Sequence, residues 1–333
     1  MATLDFDTLA DLLTRIFIRH GVAAEHAALL GRNCATCERD GAHSHGVFRI
    51  PGYVASLDAG WIDGQVRPVM EDCAPSFLRV DAANGFAQPA LAAARPALLA
   101  RVARNGVALL AIRRSHHFSA LWPDLEPFAD QGLVALSMVA GIAGVMPPGA
   151  RKPVFGTNPI AFATPVAGAR PLVFDLATSA MSNGDLRIAA REGRAIPPDS
   201  GVDRAGRMTT DPKAVLDGGG LLTFGGYKGA SIALMVEILA SALTGGQFSA
   251  EVDFSTHPGA ETPCTGQVII LIDPACGAGA AFADRVATLI AMLREAGQER
   301  LPSDRRYANR ARAERDGITL DDATHEALTR LAS

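Results

Sequence analysis

The sequence has no excess of positive charge: 31 Lys and Arg stand against 35 Asp and Glu, a formal net charge of −4. A chain without a basic stripe has no electrostatic footprint for nucleic acid, so a small-molecule partner is expected. Cysteine is scarce. The five residues Cys34, Cys37, Cys73, Cys264 and Cys276 are an odd count in a chain of 333, which argues against a disulfide framework. Cys34 and Cys37 form one Cys-x-x-Cys inside a predicted helix, with no second pair at zinc spacing. Core or helix-surface thiols are expected there, and no metal. Long apolar runs are also missing: the most apolar stretch, Ile232 to Leu243, is broken by Glu237 and too short to span a bilayer. Met1 to Asp7 is acidic and lacks a basic n-region, so a signal peptide is not expected and a cytoplasmic location is. The most informative absence is the glycine-rich pyrophosphate turn, Gly-x-Gly-x-x-Gly between a strand and a helix. Gly277-Ala278-Gly279 comes nearest, but Phe282 stands at the third glycine position. Any dinucleotide is held here by another device.

What is present reads as an ordinary globular composition, 48% hydrophobic and 20% charged, with length enough for two domains or one domain with a large lobe. Leu9, Leu12, Leu13, Ile16 and Phe17 fall on one helical face, with Gly21 as a C-cap. A second helix is predicted over residues 23–39. Residues 44–60 look helical but interrupted by Pro51, residues 88–105 form an Ala-rich helix, and further helices are expected at 121–131, 228–243 and 280–296. Thr319-Leu320-Asp321-Asp322 resembles a capping box that starts a last helix. Strands are predicted at 77–80, 107–112, 133–139, 160–164, 172–174 and 268–272. This alternation of strands and helices argues an α/β protein. Gly, Pro and Asp cluster over residues 193–220, which reads as a long functional loop or lid.

Several polar motifs stand where apolar residues would be expected. His43-Ser44-His45-Gly46 places two histidines beside a hydroxyl. Histidine titrates near neutrality and suits general acid work; the plain alternative is a Ser44 cap with exposed histidines. Arg49, one turn after His45, could clamp a carboxylate with its planar guanidinium or be a surface arginine. Ser115-His116-His117-Phe118 follows a predicted strand, where ligands of α/β sheets commonly sit. Gly156-Thr157-Asn158-Pro159 is a tight turn before a strand, and Asp175-Leu176-Ala177-Thr178-Ser179 is polar after one. Gly225-Gly226-Tyr227-Lys228-Gly229 opens an apolar helix and could hold a phosphate on its free N–H groups, or simply turn the chain. Arg300 to Arg306 is a phosphate site or a solvated basic segment.

Taken together, these segments resemble the malate/L-lactate dehydrogenase family of the second type, the sulfolactate-dehydrogenase-like enzymes. The resemblance runs over nearly the whole chain. It rests on Asp40 to Arg49, Phe155 to Ala161, Asp175 to Ser179 and Gly225 to Gly229, in that order. Ser115 to Asp124 and Gly85 to Arg95 are most similar to the Δ1-piperideine-2-carboxylate/Δ1-pyrroline-2-carboxylate reductases within it. The resemblance implies a distinctive α/β fold that is not a Rossmann domain, with a cofactor domain inserted into a domain built from both chain ends. The boundaries read as 1–124 plus 289–333 for the substrate and dimerisation domain, and 125–288 for the NADPH-binding domain. It implies a homodimer acting on a small imino or oxo acid, without nucleic acid or membrane.

The implied activity is reduction of cyclic imino acids, giving L-pipecolate and L-proline, with NADPH as cofactor and NADH as the alternative. His45 is the implied proton donor, with Ser44 and Asp185 as a relay that holds its tautomer. Arg49, Thr157, Asn183 and Gly184 would bind substrate. His117, Phe118, Ser119, Ala120 and Leu121 would contact cofactor, as would Asp175, Leu176 and Ala177, then Tyr227 and Lys228, and finally Arg300, Leu301, Pro302, Ser303, Asp304, Arg305 and Arg306. The chain departs from its relatives at Arg114, Ala140-Gly141, Asn183 and Tyr227; Arg114 is a candidate cationic contact for a 2′-phosphate. A 2-oxo acid reductase of malate or lactate type and an N-methyl-L-amino acid dehydrogenase share the same acid and clamp. A non-catalytic nucleotide-binding or structural dimer is the reading from another class.

Overall fold

In the computed structural model, which describes residues 1–333, a seven-stranded sheet forms the centre. Its spatial order is Val69–Ala74, Phe77–Phe86, Val107–His116, Cys264–Ile272, Val134–Val139, Ile160–Thr164, Leu172–Leu176. Only Phe77–Phe86 and Val107–His116 run parallel; every other neighbour is antiparallel. A parallel pair needs a long crossover, and the Ala-rich helix Ala87–Asn105 supplies it. Its Ala90, Leu91, Ala94, Leu98 and Val102 pack on Leu78, Val80, Leu110 and Ile112 of the two strands, all buried. Small side chains on that face let the helix lie close to the sheet.

The two chain ends meet. Ala2–Leu4 pairs antiparallel with Ile318–Leu320. Beneath that ribbon, Leu9, Leu13, Ile16 and Phe17 of the helix Phe6–Arg19 share a core with Leu30, Ile50, Tyr53, Phe86 and Leu328. The expected domain boundaries do not follow the packing. Residue 124 lies inside the helix Trp122–Ala129 and residue 288 inside Phe282–Glu295. The sheet runs across both proposed units, because Cys264–Ile272 is zipped between Val107–His116 and Val134–Val139.

Residues 193–220 are not one long loop. They contain the strands Gly201–Val202 and Met208–Thr209 and the helix Pro212–Leu216. With Gly220–Leu222 and Val145–Met146 they build a four-stranded sheet. Ile196, Val215 and Leu221 bury themselves there against Leu186 and Val145. Strands this short carry too few residues to show a period of two. Pro51 likewise starts a helix instead of interrupting one: it sits in the first turn of Ile50–Asp58, where its missing N–H is harmless. The helix Tyr227–Val236 continues into a π-helical turn, Glu237–Ala242. Cys34 and Cys37 are buried, unpaired core thiols, as the composition suggested. No helix is long and apolar enough to cross a membrane.

Candidate active site

The helix Ala24–Arg39 ends at Asp40, and the chain turns through Gly41 at φ +79°. The side chain of Asn309 occupies the space a Cβ at Gly41 would need, so the turn requires glycine on two counts. Two single turns follow, His43–His45 and Val47–Arg49. The buried Glu38 pins them from below: Val47 N–H donates to Glu38 Oε2 at 3.0 Å, and His43 Nδ1 bonds Glu38 Oε1. On this staple Ser44 Oγ lies 3.0 Å from His45 Nδ1. The pair fixes the ring and leaves Nε2 without a partner in the chain. Burial, followed by the Arg49 charge, pushes the His45 pKa down to about 3. The imidazole is therefore neutral in the free protein.

Arg49 lies over the Phe118 ring at 4.2 Å. It forms no ion pair, and its buried Nε has no hydrogen-bond partner. Burial depresses its pKa to about 10. An unpaired guanidinium held this way is costly, and an arriving carboxylate would relieve the cost. The N-terminus of the helix Asn183–Glu192 closes over it. A Cβ at Gly184 would lie 2.9 Å from Ser44 Cβ and 3.1 Å from Arg49 Nη2. Asn183 Oδ1 is buried there without a partner. Two substrate candidates, Asn183 and Gly184, thus meet Arg49 and Ser44. The relay through Asp185 is not formed. Its N–H is committed to the Ser182 cap at 3.0 Å, and its exposed carboxylate bonds neither Ser44 nor His45.

Ser44 and His45 form part of the wall of a cavity of about 1050 Å³, with Thr157 and Asp185 on the same wall. Ser119, Ala120 and Leu121 line it, as do Asp175, Leu176 and Ala177. Asp175 Oδ2 accepts the N–H groups of Leu121 at 2.7 Å and Trp122 at 3.1 Å, tying the two motifs together. Burial raises the Asp175 pKa against those bonds. Arg300, Leu301, Pro302, Ser303, Arg305 and Arg306 also line the cavity, with Arg306 stacked 4.4 Å from the centre of the Trp122 ring.

Other expected cofactor residues lie elsewhere. His117 is buried in a 2.9 Å bond to Asp124, which also accepts from Gln267, so this histidine braces the fold. Phe118 is the platform under Arg49. Asp304 binds Arg294 and the Leu301 N–H, shaping the segment from behind. Tyr227 is 69% exposed and, with Lys228, stands outside the cavity wall. Arg114 is bonded to Asp81 at 2.8 Å and stands outside the cavity wall. Arg191, which the sequence reading passed over, lines the cavity from the helix Asn183–Glu192. That helix is charged and short, but its caps were visible in the sequence as Ser182 and Gly193.

Residues 4–329 match the family described as Malate/L-lactate dehydrogenase. The chain is 59% identical over 330 residues to a Delta(1)-pyrroline-2-carboxylate/Delta(1)-piperideine-2-carboxylate reductase of Pseudomonas syringae pv. tomato, covering 99% of this chain and 96% of that protein. A crystal structure of delta1-piperideine-2-carboxylate reductase from the same organism, also 59% identical, superposes with a TM-score of 0.97 over 99% of this chain and 100% of that one. Sulfolactate dehydrogenase from Methanocaldococcus jannaschii is 25% identical and superposes with a TM-score of 0.88 over 99% of this chain and 96% of that one. The fold is therefore the sulfolactate-dehydrogenase-like one.

Proposed function

Because the chain belongs to the malate/L-lactate dehydrogenase family, we propose that it reduces cyclic 2-imino carboxylates to the corresponding L-amino acids, L-pipecolate and L-proline, with NADPH. The observation that carries this reading is the unpaired Arg49 guanidinium beside the Ser44–His45 pair. The cavity chemistry suits a dinucleotide phosphate. Arg191, Arg300, Arg305 and Arg306 line it and have no carboxylate partner, and Arg306 is stacked on Trp122. When bound, the reduced nicotinamide supplies the hydride that goes to the imine carbon.

The protein's own part is binding and proton handling. Arg49 takes the substrate carboxylate, and Gly184 leaves the room for it. Neutralising Arg49 removes a repulsion that holds His45 in its neutral form, so the imidazole becomes easier to protonate as the carboxylate arrives. Ser44 keeps Nδ1 engaged; His45 takes up a proton from solvent as the site fills, and Nε2 of the imidazolium delivers it to the ring nitrogen and returns to neutral imidazole. Hydride on carbon and proton on nitrogen convert C=N to a secondary amine. Exposed Leu234, Met235 and Ile238 on one helix support a homodimer. The test is to compare NADPH consumption with Δ1-piperideine-2-carboxylate and with the same ring lacking the carboxylate. We expect at least a hundredfold preference for the carboxylate, on the order of 3 kcal/mol for a charge-assisted pair. Equal rates would remove Arg49 from the mechanism.

A further inference from the structure

Arg310 belongs to neither the acid nor the cofactor wall, yet it touches the supports of both. Its Nη2 donates to Asp40 Oδ2 at 2.6 Å and its Nε to both Asp40 oxygens at 3.1 Å. Nη1 and Nη2 also reach Glu126 Oε1 at 2.9 Å and Oε2 at 2.8 Å. The Asp40 side chain is fully buried. It is the residue from which the His43–His45 turn departs, and Asn309 holds its carbonyl at 3.2 Å. Glu126 lies on the helix whose first N–H groups Asp175 caps.

Arg310 is carried by the helix Asp304–Asp316, which begins directly after the cavity-lining segment Arg300–Ser303. None of that helix's residues is buried. Its place is set by polar grips: Arg310 on Asp40 and Glu126, Tyr307 Oη on the Pro171 carbonyl at 2.7 Å, and Ser303 on the Val173 backbone. A helix seated mainly by polar grips, with Ala313 half-buried against the core of the chain ends, responds readily to a ligand at one end. One turn separates Arg306, which faces the cavity and stacks on Trp122, from Arg310.

We propose that Arg310 is a positioning residue through which occupancy of the Arg300–Arg306 segment by a dinucleotide phosphate sets the His45 turn, so that cofactor and substrate bind with positive coupling. The inference rests on the proposed function. Its physical basis is a rigid lever: the cofactor's phosphates fix the start of the helix, and Arg310, on the second turn, fixes Asp40 and with it Gly41 to His45. A residue that merely held the fold together would weaken both ligands alike and leave their coupling untouched.

The experiment measures the affinity of the dimer or monomer, as purified, for pyrrole-2-carboxylate, a planar unreactive ring carboxylate, with and without saturating NADP+. The affinity for NADP+ alone is measured by titration. For the native protein we expect the analogue to bind about tenfold tighter with NADP+, within the usual range for coupled sites. Arg310→Lys keeps one positive charge between Asp40 and Glu126 but cannot hold both at once. Its ratio should fall to about one to twofold, with NADP+ affinity changed by no more than about threefold. Asn309→Ala, which leaves the ion pairs in place, should give an intermediate ratio. A native ratio near one while both ligands bind, or a native-like ratio in Arg310→Lys, would overturn the proposal. Failure of NADP+ to bind the native protein would overturn both this proposal and the functional reading beneath it.

Discussion

Replacing Arg49 by Met separates function from stability more sharply than any other change. Met approximates the stem of the side chain and removes the charge. In the free protein that charge has no ion-pair partner, and its Nε has no hydrogen bond. Taking it away removes a desolvation penalty and gives up the cation–π contact with Phe118, worth about 1 kcal/mol, and a longer one with Phe48 at 6.0 Å. The two effects oppose each other, so the melting temperature should stay level or rise. Catalysis should respond in the other direction. A substrate carboxylate left unpaired in a desolvated site costs about 2–5 kcal/mol, or roughly 30- to 4000-fold in kcat/KM. Steady-state kinetics and thermal unfolding on the same preparation read both numbers. Loss of activity with an unchanged or raised melting temperature fits the account. A kcat/KM within about threefold of native refutes it, and so does an activity loss that tracks a fallen melting temperature.

His45→Gln should lower kcat by about 10²–10⁴ with little change in substrate affinity, checked by pre-steady-state and steady-state rates. Gly184→Ala should raise KM more than it lowers stability, because the new Cβ meets Ser44 and Arg49 and displaces the helix end; equal KM would show that the close approach is unimportant. Arg305→Ala and Arg306→Ala should weaken NADPH by about tenfold each, while leaving the kcat at saturation near native. Acid should destabilise the fold in a definite window. His45 and His116 accept protons only near pH 3 in the folded chain, against 6.5 for an ordinary histidine. Between those values the unfolded chain binds more protons, so stability is lost as pH falls from about 6.5 toward 3. Urea midpoints that stay flat from neutrality to pH 4 would contradict this.

The sequence displayed the fold where apolar periodicity was strong. The helix Phe6–Arg19, the Ala-rich crossover and the strand Ile160–Thr164 all stand where the pattern placed them. It hid elements whose burial is not written in apolar residues. Cys264–Gln267 is the polar, glycine-bearing half of the central strand; Cys264 and Thr265 pair with Val107–His116 alone, and Val134–Val139 joins only from Gln267. The helix Asp304–Asp316 has an arginine-rich sequence with no apolar stripe and is held by ion pairs. At the site, residues close in sequence come together, with Ser44, His45 and Arg49 on consecutive turns. Residues 115–119 were harder, since a histidine facing a ligand and a histidine facing Asp124 look alike until the partner across the fold is known. The Asp185 carboxylate is exposed and bonds neither Ser44 nor His45, a matter of side-chain direction that spacing along the chain does not show.

The most direct test of the central claim compares NADPH oxidation with Δ1-pyrroline-2-carboxylate, Δ1-piperideine-2-carboxylate and pyruvate under one set of conditions. Both cyclic imines should turn over faster than pyruvate, with the difference abolished in Arg49→Met because neither class is then held. Faster turnover of pyruvate, or no turnover of either imine, would contradict it and place the chain among the 2-oxo acid reductases of its family.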